Sequence, residues 1–367
     1  MVLEATLWLI RGFAAVIIAV TALPLIRSGA WYIRMWDFPR LQIAAIGAAA
    51  LAVLIAIENL HGWSAVSVVS VSALALAMFW QGLHVVRYTR LWPHHSPNAD
   101  GNDALSIIIA NLDVRNDTKR DAARAIRSVN PDIALLIEVD DTWMAALATV
   151  RDEYEYRVEA VAPDGLGIVL WSKSPVDSSE VRHLVSEDRP SIHATIDTES
   201  IGRVRFIGLH PTPPGLKKQG ENERYDSRIR DAELVRVARS VADQPDQTQI
   251  VAGDFNDVAW SHTTRLFERI SGLHDPRVGR RLLNTYDANH PFLRYPLDHV
   301  YLSPNCAVRD VKRLSIPGSD HFAVVVGVEV QGRQSNASAR TAADREEEAA
   351  LIAEGLEDAE HHNEAAR

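Results

Sequence analysis

The sequence predicts a layered α/β (α+β) domain, preceded by a three-helix transmembrane segment and followed by an acidic tail. Three observations lead there. Three long apolar stretches fill the first ninety residues. Between about residues 104 and 330, short apolar runs of strand type alternate with amphipathic helical patterns. Charge is distributed unevenly: residues 1–100 carry six basic and four acidic side chains, residues 101–330 carry 28 and 35, and residues 331–367 carry four and nine. A chain of 367 residues exceeds one typical domain. Its 47% hydrophobic and 23% charged content excludes wholesale disorder, collagen and a disulfide scaffold.

Residues 1–91 read as the transmembrane region. The first stretch, about residues 5–26, contains Arg11, which must snorkel or face the other helices. The second, about residues 41–57, has 17 residues without a charge, flanked by Arg40 and Glu58. The third, about residues 63–86, has 24 residues without a charge, enough to cross the hydrocarbon core. A buried helical bundle is the alternative. Arg27, Arg34 and Arg40 precede the second stretch, and Arg87 and Arg90 follow the third. With three spans these two segments share a side, which the positive-inside rule makes cytoplasmic. The chain is thus expected to be a multi-pass protein of the cell (inner) membrane, with its globular domain in the cytoplasm.

A Pro/His/Asn/Gly-rich linker, residues 92–103, follows; His94 and His95 read there as solvated residues rather than metal ligands. Leu105–Ala110 is a first strand. A helix over Thr118–Val129 places Ala122, Ala125, Ile126 and Val129 on one face, with Asn116 or Asp117 as its cap and Pro131 as its stop. Further strand-like runs are Ile133–Ile137, Gly167–Ser172, Ser191–Ile196, Arg203–Leu209, Gln249–Ala252, Leu297–Leu302 and Phe322–Val330, with a long amphipathic helix from about Glu223 to Ala242. Mixed strands and helices over one such span indicate a layered domain. P-loop, zincin and nucleophile-elbow motifs are absent from the sequence. The lone Cys306 excludes an internal disulfide and multi-thiolate zinc, and reads as a small buried residue. Residues 331–367 are Ala/Glu-rich; Leu351, Ile352 and Leu356 give a helix from about Thr341 to Ala359 only a thin apolar face, so the tail is expected to be disordered or loosely docked.

The chemistry gathers at strand ends. Asn111 and Asp113 follow the first strand, Glu138 the second, and Gly253-Asp254-Phe255-Asn256 the run at Gln249–Ala252. Asp298-His299 opens a strand and Ser319-Asp320-His321 precedes the last one. One polar residue after a strand marks a turn; five such sets of Asp, Glu, Asn and His in one domain point to a site. Carboxylates with an amide are the hard oxygen donors that Mg²⁺ or Mn²⁺ favours. A His beside an Asp supplies an oriented imidazole. This composition suits metal-assisted hydrolysis at phosphorus.

The series N-x-D, E, H-P, GDFN, LDH and SDH resembles the endonuclease/exonuclease/phosphatase superfamily. Its members include deoxyribonuclease I, exonuclease III-like repair nucleases, neutral sphingomyelinases and inositol polyphosphate 5-phosphatases. The resemblance spans about Leu105 to Val330, and GDFN and the terminal SDH are its most specific pieces. It implies a membrane-anchored, bacterial-type member whose domain, residues 104–330, is a four-layer sandwich of two β-sheets flanked by helices.

By the same resemblance, Glu138 is the principal metal ligand, with Asn111 and Asp113 near the ion or its waters and Asp320 a further metal-site carboxylate. Asp254 activates or positions the attacking water, and Asn256 orients Asp254 and touches the phosphate. His321 stabilises charge developing on the phosphorane, and Asp298 keeps that His cationic. His210, in GLHPTPPG, is a second phosphate-contacting His. His299 reads as structural, and Trp260 and Ser261 as packing or capping the next helix. Arg182, Arg189, Arg277–Arg281 and Lys217-Lys218 read as solvated cations able to meet anions. The implied activity is a Mg²⁺- (or Mn²⁺-) dependent phosphodiesterase of nuclease type. The alternatives are a phospholipid-headgroup or inositol-phosphate phosphatase, and a membrane-tethered pseudoenzyme that binds a phosphorylated ligand. The expected partners are a phosphoester substrate (nucleic acid or phospholipid headgroup) and the lipid bilayer, with no protein partner inferred. The domain's net charge of −7 disfavours tight duplex binding, which draws on phosphate neutralisation.

Overall fold

A computed structural model describes residues 2–101, 104–214, 226–332 and 338–366. Lys217 and Lys218 lie outside the described residues. The head contains α1 (Val2–Ala22), the short α2 (Trp31–Arg34), α3 (Arg40–His61) and α4 (Ala65–Val86). Three helical spans are long and apolar enough to cross a membrane: Glu4–Leu25, Arg40–His61 and Ala65–Val86. They pack through Ala14, Ile17, Ile43, Ala50 and Leu74, and leave Trp8, Leu9, Leu76 and Phe79 exposed. Arg11 faces its neighbours rather than snorkelling: Nη2 lies 2.6 Å from Glu58 Oε1 and 3.0 Å from Ser67 Oγ. Ser64 caps α4 by accepting from Ser67 N.

Among the described residues, eleven strands form two mixed sheets. They are β1 (Leu105–Asn111), β2 (Ile133–Ile137), β3 (Tyr156–Ala160), β4 (Ile168–Ser172), β5 (Val176–His183), β6 (Pro190–Thr198), β7 (Gly202–Leu209), β8 (Thr248–Asp254), β9 (Asp298–Leu302), β10 (Cys306–Ser315) and β11 (Phe322–Val330). The orders are β10-β11-β1-β2-β4-β3 and β5-β6-β7-β8-β9. The only parallel pairings among these strands are β1 with β2 and β7 with β8.

Strand alternation builds the layers. Ile107, Ile109, Leu135 and Leu170 of the first sheet meet Ile192, Phe206, Ile250 and Val300 of the second. Ile108 and Ala110 point the other way, toward α5 (Lys119–Val129), α6 (Asp141–Ala146) and α7 (Ala148–Arg151), burying Ala122, Ile126, Trp143 and Val150. On the far side, Ile207 and Val251 meet Leu234 and Val237 of α8 (Arg228–Ala242) and Phe267 of α9 (His262–Ser271). The result is helices, sheet, sheet, helices.

The strands missing from the sequence reading, β3, β5 and β10, all lie at sheet edges. There one face meets water and the apolar signal fades; all but the first residue of β5 are exposed. The linker is not free chain. Ala99 N donates to Val308 O at 3.0 Å, and the His95 ring stacks on His274 at 4.0 Å. Cys306 is buried, and burial pushes its thiol up to about 12. The tail departs from expectation too. Residues Ala342–Ala366 form α10, which lies on α8. Ion pairs supplement its thin apolar face: Asp344 with Arg269 at 2.8 Å, and Glu348 with Arg340 at 2.7 Å and Arg239 at 3.6 Å.

Candidate active site

The topology carries the polar residues to one edge of the stacked sheets. Asn111 ends β1 and Glu138 follows β2; the two strands are parallel, so their ends meet, with Asn111 opposite Ile137. His210 follows β7, and Asp254 ends the parallel β8. Antiparallel β9 starts at Asp298, opposite Asp254. His321 precedes β11, which runs antiparallel to β1, and Ser319 Oγ donates to Asn111 O at 2.8 Å.

Gly253 is required by close approach. Its φ is +150°, and a Cβ there would stand 1.9 Å from Leu209 O on β7. Asp113, Glu138 and Asn256 adopt positive φ of 55°, 63° and 52°. Such conformations cost about 1–3 kcal/mol and persist where their surroundings hold them. Asn256 is held by its own N–H, donating to Asp254 Oδ1 at 2.9 Å, and by its Nδ2, donating to Pro211 O at 2.9 Å.

Asn111 ties the acidic groups together: Nδ2 donates to Glu138 Oε1 at 2.9 Å and Asp254 Oδ2 at 3.1 Å. His321 Nδ1 meets Asp298 Oδ2 at 2.8 Å, and its Nε2 lies 3.7 Å from Asp254 Oδ2. Burial works against the imidazolium, but Asp298 and then Asp254 outweigh it and lift His321 to about 10. Burial, helped by Asp298, pushes Asp254 up to about 7. His210 Nε2 stands 4.0 Å from both Glu138 Oε1 and Asp254 Oδ2. Burial, Arg189 and His321 keep His210 neutral, well below its ordinary value.

Glu138, His210, Asp254, Asn256, Asp320 and His321 therefore line one cleft of about 510 Å³. Asn111 and Asp298 lie buried beneath it. Asp113 does not line it; its Oδ1 accepts from Arg115 N and Nε at 3.0 and 3.2 Å. His299 is structural in placement, buried between Asp257 O at 2.9 Å and Arg277 at 2.7 Å. Ser261 caps α9 and Trp260 packs against Tyr88. Arg277 is buried on Asp275 and does not meet solvent as expected, whereas Arg182 pairs with exposed Glu180. Several lining groups were not foreseen in this role, Arg189, Tyr286 and Phe38 among them. Arg189 lies 3.3 Å from His210 Nδ1, the Tyr286 ring is 4.9 Å from that of His321, and Phe38 comes from the apolar head.

The donors fit a hard divalent cation. Among the described residues, the one ion-pair contact of Glu138 is the neutral His210. Burial raises Asp320, and the nearby Asp113 and Glu138 raise it further, so like charge accumulates at this edge. Asp254, Asp298 and His321 also offer ligand atoms within 4.8 Å of one another. The Nδ1 contact with Asp298 engages two members of this last group as a His–Asp pair, and Glu138 and Asp320 are further cleft carboxylates that could hold a cation.

The sequence model of the Endonuclease/Exonuclease/phosphatase family matches residues 98–321. No curated protein matches the chain. Among solved structures, D. rerio TDP2 complexed with single-strand DNA product has a TM-score of 0.51 at 19% identity, covering 62% of this chain and 100% of that one. An endonuclease/exonuclease/phosphatase from Beutenbergia cavernae gives 0.49 at 20% identity, covering 63% and 72%. The human Nocturnin catalytic domain with bound sulfate gives 0.48 at 17% identity, covering 64% and 97%. The likeness to the D. rerio structure shows a shared fold.

Proposed function

The chain belongs to the endonuclease/exonuclease/phosphatase family, and from that premise we propose that it is a membrane-anchored, divalent-metal-dependent phosphoester hydrolase. Water attacks phosphorus and the P–O bond to the leaving alcohol breaks, in a reaction of phosphodiesterase type. The observation that carries this reading is the convergence on Asp254. Its Oδ2 lies 3.1 Å from Asn111 Nδ2, 3.7 Å from His321 Nε2 and 4.0 Å from His210 Nε2.

The roles follow from charge and reach. Asp254 accepts a proton from the attacking water or holds that water in line. His321, kept cationic by Asp298, offers its Nε2–H to the phosphate oxygens as charge develops on them. Neutral His210 donates a hydrogen bond to the same group, with Arg189 beside it. Asn256 orients Asp254. Asn111 holds Glu138 and Asp254 at a fixed separation. Glu138 and Asp320 would hold Mg²⁺ or Mn²⁺, which when bound would cancel charge on the phosphate oxygens.

Anchoring rests on the three apolar helices. The segment before α3 and the end of α4 both touch the domain: Trp260 Nε1 donates to Asp37 O at 2.6 Å, and Tyr88 OH to Ala259 O at 2.8 Å. Both therefore lie on the domain's side, which we assign to the cytoplasm from the arginines there. Phe38 at the cleft favours a second reading of the substrate, a phospholipid headgroup of the same membrane.

The test uses the full chain in detergent, wild type and His321→Ala. Plasmid DNA, single strands, RNA, phospholipids and inositol phosphates are offered with Mg²⁺, Mn²⁺ or EDTA. Metal-dependent cleavage lost in His321→Ala supports the hydrolase and names its substrate class. A folded protein that binds metal and phosphorylated ligands without turnover would instead be a binding protein.

A further inference from the structure

The segment joining α1 to α3 is built into the catalytic domain beside the Asp254–Asp257 loop. Ser227 N donates to Gly29 O at 2.9 Å, and Ala30 bridges to Asp226. α2 then delivers Arg34, a buried cation. Its Nη2 lies 3.2 Å from Asp257 Oδ2, 3.2 Å from Thr263 Oγ1 and 3.8 Å from Asp231 Oδ1, and its Nη1 lies 3.5 Å from Asp37 Oδ2. A second buried guanidinium shares these carboxylates: Arg230 Nη2 lies 2.8 Å from Asp231 and 3.4 Å from Asp257. Through Nη1, Arg230 donates to the carbonyl of Asn256 at 2.7 Å.

The consequence is electrostatic and geometric. Asp231 and Asp257 share two arginines, one of which comes from the apolar head. Without Arg34, both carboxylates depend on Arg230, and burial makes an uncompensated charge expensive. Arg230 is the group that holds the Asn256 carbonyl, and Asn256 is the strained residue that orients Asp254. Asp37, three residues on, is anchored by Arg40 at 2.6 Å, and its carbonyl accepts from Trp260. Phe38 continues into the cleft wall and packs edge-on against Tyr295 at 5.7 Å.

We propose that Arg34 is a positioning residue for the Asp254–Asp257 loop, so that the apolar head is part of the active-site scaffold as well as an anchor. Its effect on turnover rests on the hydrolase reading above; its effect on loop order does not. The full chain in detergent is compared with Arg34→Met, Arg34→Lys and the double variant Arg34→Met/Asp257→Asn, which removes the unbalanced carboxylate. The readouts are amide hydrogen exchange and steady-state hydrolysis of bis(p-nitrophenyl) phosphate with Mg²⁺. In Arg34→Met, amides 255–258 should exchange about tenfold faster or more while β1 and β11 keep their protection. kcat should fall by up to about 100-fold with KM little changed, as expected for a misplaced catalytic group. Arg34→Lys should recover part of both. The double variant should recover thermal stability but not kcat.

Unchanged exchange over 255–258, or wild-type kcat, in Arg34→Met would overturn the proposal. So would a double variant that regains kcat together with stability, since Arg34 would then act only as a counter-charge. If Arg34→Met does not fold, the lysine and double variants carry the same comparison. If the wild type turns over no substrate, the hydrolase reading fails, and hydrogen exchange alone decides the role of Arg34.

Discussion

His321 Nδ1 lies 2.8 Å from Asp298 Oδ2, and both side chains are buried. The pair fixes the pH range of the site. Burial alone would discharge the imidazole; Asp298 is the largest opposing influence and holds His321 at about 10. Activity that needs the imidazolium is thus full at neutral pH and lost as pH rises through about 10. Asp298 also raises Asp254, which sits at about 7, so the acid limb lies there or lower, since a cation beside Glu138 favours the carboxylate. Asp298→Asn should move both limbs of the kcat/KM–pH profile to lower pH and reduce the maximum by about 100-fold or more. An unmoved basic limb would show that His321 does not take its charge from Asp298.

The same pair has a stability consequence of defined sign. The folded-state pKa of His321 lies above its ordinary 6.5, so its contribution is complete below about pH 6.5 and disappears as pH rises to about 10. Chemical denaturation of wild type and His321→Ala, followed between pH 6 and 10, should give curves that converge as pH rises. A gap that stays constant across this range would contradict a buried imidazolium.

Asp254→Ala, Asn256→Ala and His321→Ala should each reduce kcat by about 100-fold or more and leave the far-UV circular dichroism unchanged. They sit at strand ends, outside the three packed layers of the core, so their removal opens no apolar cavity. His321→Ala with full activity would refute the site assignment.

Glu138→Gln keeps the shape and the hydrogen bond from Asn111 but removes the charge facing the cleft. The Mg²⁺ concentration for half-maximal activity should rise by about tenfold or more, with kcat at saturating metal less affected. An unchanged metal titration would remove Glu138 from the cation site.

The sequence made the site more legible than the scaffold around it. Six residues from four separated motifs line one cleft because each motif lies at the end or the beginning of a buried strand, and buried strands carry strong apolar runs. β3, β5 and β10 escaped because an edge strand has only one buried flank. The docking of α10 escaped because Leu351 and Ile352 make only a thin apolar face, and charge patterns do not reveal their partners, here Arg269 of α9 for Asp344 and Arg239 of α8 for Glu348. The roles of Arg34 and Phe38 escaped because both belong to the short segment between two apolar helices, and only tertiary packing brings them to Asp257 and the cleft. Asp113 was misplaced in direction rather than position: its left-handed backbone turns the carboxylate toward Arg115.

Gly253 offers the sharpest separation of fold from chemistry within GDFN. A methyl group there would meet the Leu209 carbonyl oxygen at 1.9 Å, at a φ of +150° that side chains rarely adopt. Neither strand can retreat, since β7 and β8 are both interior to their sheet. Gly253→Ala should therefore cost about 4 kcal/mol or more and lower the melting temperature steeply. Gly202 also has positive φ, at +72°, but nothing within 4 Å of its Cβ position. Gly202→Ala should cost only about 1–2 kcal/mol, the conformational penalty alone. Thermal denaturation of the two variants side by side measures the steric contribution directly. Equal losses would mean that β7 and β8 can separate, and that close strand approach does not explain the glycine.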